Sequence, residues 1–176
     1  VSQFTGGDPG DGLDLEGTFV YALDHGPEGV FGGQVGDAIF TSELWDGVTV
    51  TAGNRAGGWN AGINYGDSAN DFTLADIMSS ITWSSFGSAI PDVGVELANL
   101  TPGSVYKLQL LFAEQAWPRG FDVYIDDQLV MNDFSPPFYQ GNGLPLTYPD
   151  DRGVVITHQF VARTNSIRFS VDGTGT

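Results

Sequence analysis

Between Ser104 and Phe134 the chain alternates apolar and polar residues twice. Tyr106, Leu108, Leu110 and Phe112 recur at every second position, which puts them on one face of a strand. Val105 and Leu111 fall on the opposite face, so this strand is predicted to be buried on much of both. A loop, Ala113 to Gly120, separates it from a half-buried strand in which Phe121, Val123 and Ile125 alternate with Asp122, Tyr124 and Asp126. Asp126-Asp127 then makes a tight turn, and Leu129-Val130-Met131 returns as the hairpin partner. Further strands are predicted at Thr18–Leu23, Ala38–Phe40, Val48–Thr51, Ile81–Phe86, Val93–Leu97, Val154–Val161 and Ser166–Val171. Helical spacing occurs only over Phe72–Ser80, where Phe72, Ala75, Ile77 and Met78 would face the core for one or two turns. Asn54–Asp71 and Ser135–Asp151 read as long loops, of a length that is often functional in a compact domain. Short strands, turn residues between them and almost no helix predict an all-β fold, an antiparallel β-sandwich.

Composition narrows the classes. At 176 residues without internal repeats, one domain is expected, with residues 1–16 as a Gly- and Asp-rich segment ahead of a domain spanning 17–176. The net charge of −16, from 22 acidic against 6 basic residues, argues against nucleic acid, whose affinity comes from Lys and Arg on phosphates. It argues equally against anionic membrane surfaces, and no stretch is long and apolar enough for membrane insertion. Few Lys and many Asp, Asn, Gly and Thr place the expectation outside the cell, secreted or at the cell surface, while the absence of Cys excludes a disulfide framework without fixing the compartment. The chain is expected to be a mature product or a piece of something larger. Asp8, Asp11, Asp14 and Glu16 fall close together among glycines. Calcium takes six to eight oxygens from such flexible loops. The alternative is a solvated, turn-rich linker.

The segment LLFAE, a loop with Trp117, and then FDVYIDDQLVMNDF resembles the central signature of the malectin-like carbohydrate-binding domains. GTFVYALDHGPEG resembles that family's opening strand and Gly-rich turn, and FTSELWDG the segment after it. The resemblance spans about Gly17 to Val171. It implies a galactose-binding-like jelly roll that binds an oligo- or polysaccharide without catalysis. It also implies three ligand-contacting aromatic positions: Trp117 directly after the FAE motif, Tyr65 in INYGDS, and Trp83 near the strand at Ile81, with Phe86 as its alternative. Asn64 and Asp67 are the polar partners expected beside them, Trp59 and Trp45 are held in reserve, and Asp172 is a loose counterpart of the family's final ligand-contacting Asp. Glu114 is expected to order its loop by accepting hydrogen bonds. Two departures stand out. Ala116 replaces a neighbouring aromatic, and no apolar strand follows SIRFSV to pair with the opening strand. An open edge there would invite strand addition. The second reading is therefore a structural repeat of a bacterial surface adhesin, sheath or filament.

Catalysis is not expected. His25 and His158 are the two histidines, and no G-x-S-x-G, H-E-x-x-H or P-loop pattern occurs. Among 22 acids some pair always suits a glycosidase, so carboxylates select nothing.

Overall fold

A computed structural model of the chain describes residues 1–27, 29, 32–42, 45–59, 64–85, 89–90, 92–114, 120–135 and 153–173. Two antiparallel sheets dominate. The three-stranded sheet runs β1 (Ser2–Phe4), β11 (Gly153–Val161), β8 (Val105–Phe112). The five-stranded sheet runs β10 (Gln128–Phe134), β9 (Phe121–Ile125), β12 (Ile167–Gly173), β7 (Val93–Leu97), β4 (Val48–Thr51). Two ribbons, β2 (Gly32–Val35) with β3 (Ala38–Thr41) and β5 (Asn54–Ala56) with β6 (Ile81–Trp83), and one helix, α1 (Ala69–Met78), complete the described elements. The fold is all-β.

The alternation in β8 decides how the layers stack. Its even-numbered side chains meet the five-stranded sheet: Tyr106 and Leu108 cluster with Val95, Leu97, Ile125 and Ile167, and Leu110, alongside Val154 and Ile156 of β11, with Val123 and Phe134. On the other face Leu111 and the neighbouring Val155 pack against Phe4, Leu13, Leu15, Val35, Leu74 and Ile77. The three-stranded sheet is thus covered on both sides where the sequence predicted it. At its far end Val105 and its register partner Val161 are exposed. The hairpin also follows expectation. Gln128 pairs with Ile125, and Asp126 and Asp127 carry φ of 48° and 60°, the two positive values of a two-residue turn that matches strand twist.

Residues 1–16 are folded into the core rather than standing apart from it. β1 pairs with Gly153–Val155, and Phe4 is 0% exposed. Asp14 and Gln109 exchange two bonds, the Asp14 amide to Oε1 at 3.0 Å and Nε2 to the Asp14 carbonyl at 2.7 Å, which pins this segment across β8.

Three other expectations change. Thr18–Leu23 forms no strand; its residues still bury Ala22, but the backbone only touches β3, through a single bridge from Leu23 to Thr41. β-propensity alone does not make a strand without a partner edge along its length. The helix is longer than its apolar spacing suggested. Ser68 caps it, accepting from the Asp71 amide at 3.1 Å, while Asp71 accepts from the Ser68 amide at 3.1 Å, a reciprocal capping box. Leu74 fills the core position assigned to Phe72, which is 61% exposed. The helix stops where the Ser79 and Ser80 hydroxyls donate to the carbonyls of Asp76 and Ile77 and the β-branched Ile81-Thr82 follows. Finally, the Asn54–Asp71 loop begins with β5 and ends in the first turn of α1. No helix among the described residues is long and apolar enough to cross a membrane.

Candidate functional site: a tryptophan pair and an acidic corner

Three chain segments meet at a pair of tryptophans. Register places Asn54 opposite Trp83 in the β5–β6 ribbon. Beyond β5, the Trp59 amide donates to the Ser79 carbonyl at 2.6 Å, which ties that loop to the end of α1. The Trp59 and Trp83 rings stack with centroids 6.2 Å apart at 28°. Trp59 Nε1 donates at 3.1 Å to Oε1 of Glu114, which follows β8 and is 2% exposed. Glu114 therefore orders its surroundings by accepting, as its place in the FAE motif suggested. Both indoles are half-buried. Stacking occupies one face of each ring, and the Trp59 Nε1 edge is taken by Glu114. The apolar C–H face of a sugar fits such a surface, since aromatic rings carry large area with fixed geometry.

Of the predicted ligand-contacting residues, Trp83 is here and Trp59 joins it from the reserve. Trp117 and Phe86 lie outside the described residues. Tyr65 is a correction. It is 3% exposed and stacks on Phe4 with centroids 5.7 Å apart at 13°, so its ring is core and not a surface for sugar. Sequence placed it in a Gly-rich loop without neighbours; its neighbour comes from the chain start. Asn64 and Asp67 are exposed in the turn entering α1, where Asn64 Oδ1 accepts from the Gly66 amide at 2.9 Å. Trp45 packs edge-on against Tyr21. Asp172 sits beside Asp122 in the β12–β9 register, and partial desolvation, then the charges of Asp92 and Asp122, raise its pKa.

The predicted metal set also changes. Asp8 and Asp11 converge with Asp71, one carboxylate oxygen from each lying within 4.8 Å of the others. Asp71 Oδ1 accepts from the Gly7 amide at 2.9 Å, and Asn70 Nδ2 donates to Asp8 Oδ1 at 2.9 Å. Gly6 makes room for this. A Cβ there would lie 2.4 Å from Asp11 Oδ2, 2.7 Å from Asp71 Oδ1 and 2.9 Å from the Tyr65 carbonyl oxygen. Asp14 instead pairs with Lys107, which lowers its pKa through that hydrogen bond, and Glu16 is exposed. Asp71 was missed because it read as part of a loop, although Ser68 three residues before it was a legible cap. The donors are all hard oxygens, which suit calcium or magnesium over softer metals. The helix N-terminus beside them also favours negative charge.

No protein-family model matches this sequence, and no curated protein matches it.

Proposed function

We propose that this protein is a non-catalytic, extracellular carbohydrate-binding module of malectin-like, jelly-roll sandwich type, taking an oligo- or polysaccharide on the Trp59–Trp83 surface. The observation that carries the reading is that surface itself: two stacked indoles, brought from different segments and fixed by a buried carboxylate. In this reading calcium serves Asp8, Asp11 and Asp71 as a staple between the N-terminal segment and α1.

A glycan array probed with wild type and Trp83→Ala tests it. Reproducible binding to one sugar class, lost in the variant while the fold persists, is the expected result. A folded wild type that binds nothing on the array, or a variant that binds as well, overturns it.

One observation favours the second reading, a structural module that assembles by strand addition. β8 is eight residues long and pairs only with β11 among the described residues, leaving a long edge at which Val105 is exposed. Sedimentation at rising concentration separates the two: self-association supports assembly, and a strict monomer removes it.

A further inference from the structure

An indole face supplies area for a sugar ring, but telling one hydroxyl pattern from another takes a polar side chain beside it. Most polar side chains around Trp59 and Trp83 are already committed. Glu114 accepts from Trp59 Nε1. The Ser84 hydroxyl accepts from the Gly53 amide and donates to the Asp92 carbonyl, both at 2.9 Å. The Ser79 hydroxyl donates to the Asp76 carbonyl, and the Ser80 hydroxyl to Asp24 Oδ1. Arg55 and Thr82 are register partners on the opposite face of the β5–β6 ribbon, alternating with Asn54 and Trp83. Asn54 is different. It is exposed, and its carboxamide forms no hydrogen bond among the described residues.

Register sets where that carboxamide stands. Directly opposed residues of an antiparallel pair share a face, with Cβ atoms about 4.5–5.5 Å apart, and Asn54 opposes Trp83. Ala56 opposes Ile81 on the same face, so the ribbon carries an apolar strip with one polar group at its end. The bond from the Gly53 amide to Ser84 fixes the entry to β5 beside it. Asparagine is depleted in strands, and its amide ordinarily bonds to nearby backbone instead. Asn54 makes no such bond, so local structure does not account for it. Positions that break a local rule without compensation concentrate at functional sites.

A carboxamide carries an acceptor, Oδ1, and a donor, Nδ2. It accepts from one hydroxyl while donating to the next; an ionised carboxylate only accepts, and an ammonium only donates. Two hydroxyls on neighbouring carbons of a pyranose ring offer the complementary pattern. We propose that Asn54 is the specificity-determining residue of the tryptophan surface, hydrogen-bonding a pair of adjacent ring hydroxyls on a neutral pyranoside stacked against Trp83. This inference rests on the carbohydrate-binding reading above. An anionic sugar finds no counter-charge in Asn54 and is opposed by the net charge of −16.

The Trp59 and Trp83 indole N–H resonances report binding. The probes are methyl β-D-glucopyranoside and methyl β-D-galactopyranoside, each with its 3-deoxy and 6-deoxy analogues. Loss of the 3-hydroxyl leaves no two adjacent ring hydroxyls, whereas loss of the 6-hydroxyl keeps them all. For a parent glycoside that saturates, the 3-deoxy analogue should bind about tenfold more weakly, as for two lost neutral hydrogen bonds. The 6-deoxy analogue should bind nearly as well as the parent. Asn54→Ala should weaken the parent by a similar factor and bind parent and 3-deoxy analogue alike, a loss of discrimination that a merely structural role would not produce. Circular dichroism checks its fold; if it does not fold, the deoxy pair on wild type carries the test. Equal losses with both deoxy analogues, or an Asn54→Ala protein that still distinguishes parent from 3-deoxy analogue, overturn the proposal. If Trp83→Ala abolishes binding while Asn54→Ala binds like wild type, the proposal falls and the tryptophan reading stands. If neither parent glycoside shifts either indole, both fall.

Discussion

The sharpest test of the architecture is a double-mutant cycle between Phe4 and Gly153. They are register partners in β1–β11, and Phe4 is fully buried against Tyr65, Leu74 and Val155. A Cβ on Gly153 would stand 2.3 and 2.5 Å from two Phe4 ring carbons. Gly153 lies in extended β11 backbone, so alanine is objectionable there only because of the ring. Forcing a methyl into a packed core costs about 1–3 kcal/mol. Alanine also restricts the unfolded chain relative to glycine, which returns about 0.4–1 kcal/mol. Gly153→Ala should therefore destabilise by about 1–2 kcal/mol. Phe4→Ala should cost about 3–5 kcal/mol, the range for deleting a buried aromatic ring. With the ring gone, the added methyl enters the space it vacated, and Gly153→Ala should become neutral or stabilising by up to about 1 kcal/mol. Urea unfolding of the four proteins, followed by tryptophan fluorescence, reads the coupling directly. If Gly153→Ala costs the same in both backgrounds, or Phe4→Ala costs under about 1 kcal/mol, the N-terminal segment is not the core element described here.

Other outcomes follow from named contacts. Removing Glu114 as Glu114→Ala leaves a half-buried indole N–H unsatisfied and should cost about 1–3 kcal/mol in urea unfolding, with Glu114→Gln retaining most of the stability. Burial, then the nearby Arg55 charge, depress His25 to about 4 from an ordinary 6.5. The unfolded chain then takes up the proton first, so stability should fall as pH drops from about 6.5 toward about 4, a loss that His25→Asn should remove. Asp24 has the opposite sign. Burial raises its pKa, so its contribution is fully present below the ordinary 3.8 and is lost as pH rises through the folded value. Asp24→Asn should accordingly gain on wild type in thermal melts at neutral pH and lose that gain near pH 3. If calcium binds Asp8, Asp11 and Asp71, calcium at a hundredfold excess over its Kd should stabilise by about 2.7 kcal/mol, or roughly 5–10 °C in Tm, relative to chelator; melts unmoved by chelator, or moved equally in Asp71→Asn, dismiss the site.

What the sequence disclosed was local. The β8 alternation and the Asp126-Asp127 hairpin depend on neighbours two to ten residues apart, and both were legible. Thr18–Leu23 has strand-like residues, but strand formation needs an edge to pair with, and β3 offers it one bridge. Tyr65 read as a loop aromatic because its stacking partner, Phe4, lies in a segment whose composition resembled a linker. The Trp59–Trp83 pair needs the β5–β6 register, which brings Asn54 to Trp83 across α1, and nothing in either short strand announces that pairing. Asp71 shows the intermediate case: the cap that buries it was visible, whereas its convergence with Asp8 and Asp11 was not.

The pairing of β1 with β11 also bears on how quickly the molecule forms. Ser2 meets Val155 and Phe4 meets Gly153, so two segments far apart in sequence must find each other before the cluster around Phe4 can close. Contacts of such sequence separation slow folding, because loop-closure entropy is lost before the contacts compensate for it. On a ribosome, Phe4, Leu13 and Leu15 emerge long before β11, which comes last but one among the described strands. The early-made apolar residues are then exposed longer than those of β11, and the charged Asp residues interleaved with them are the kind that oppose aggregation of such a segment.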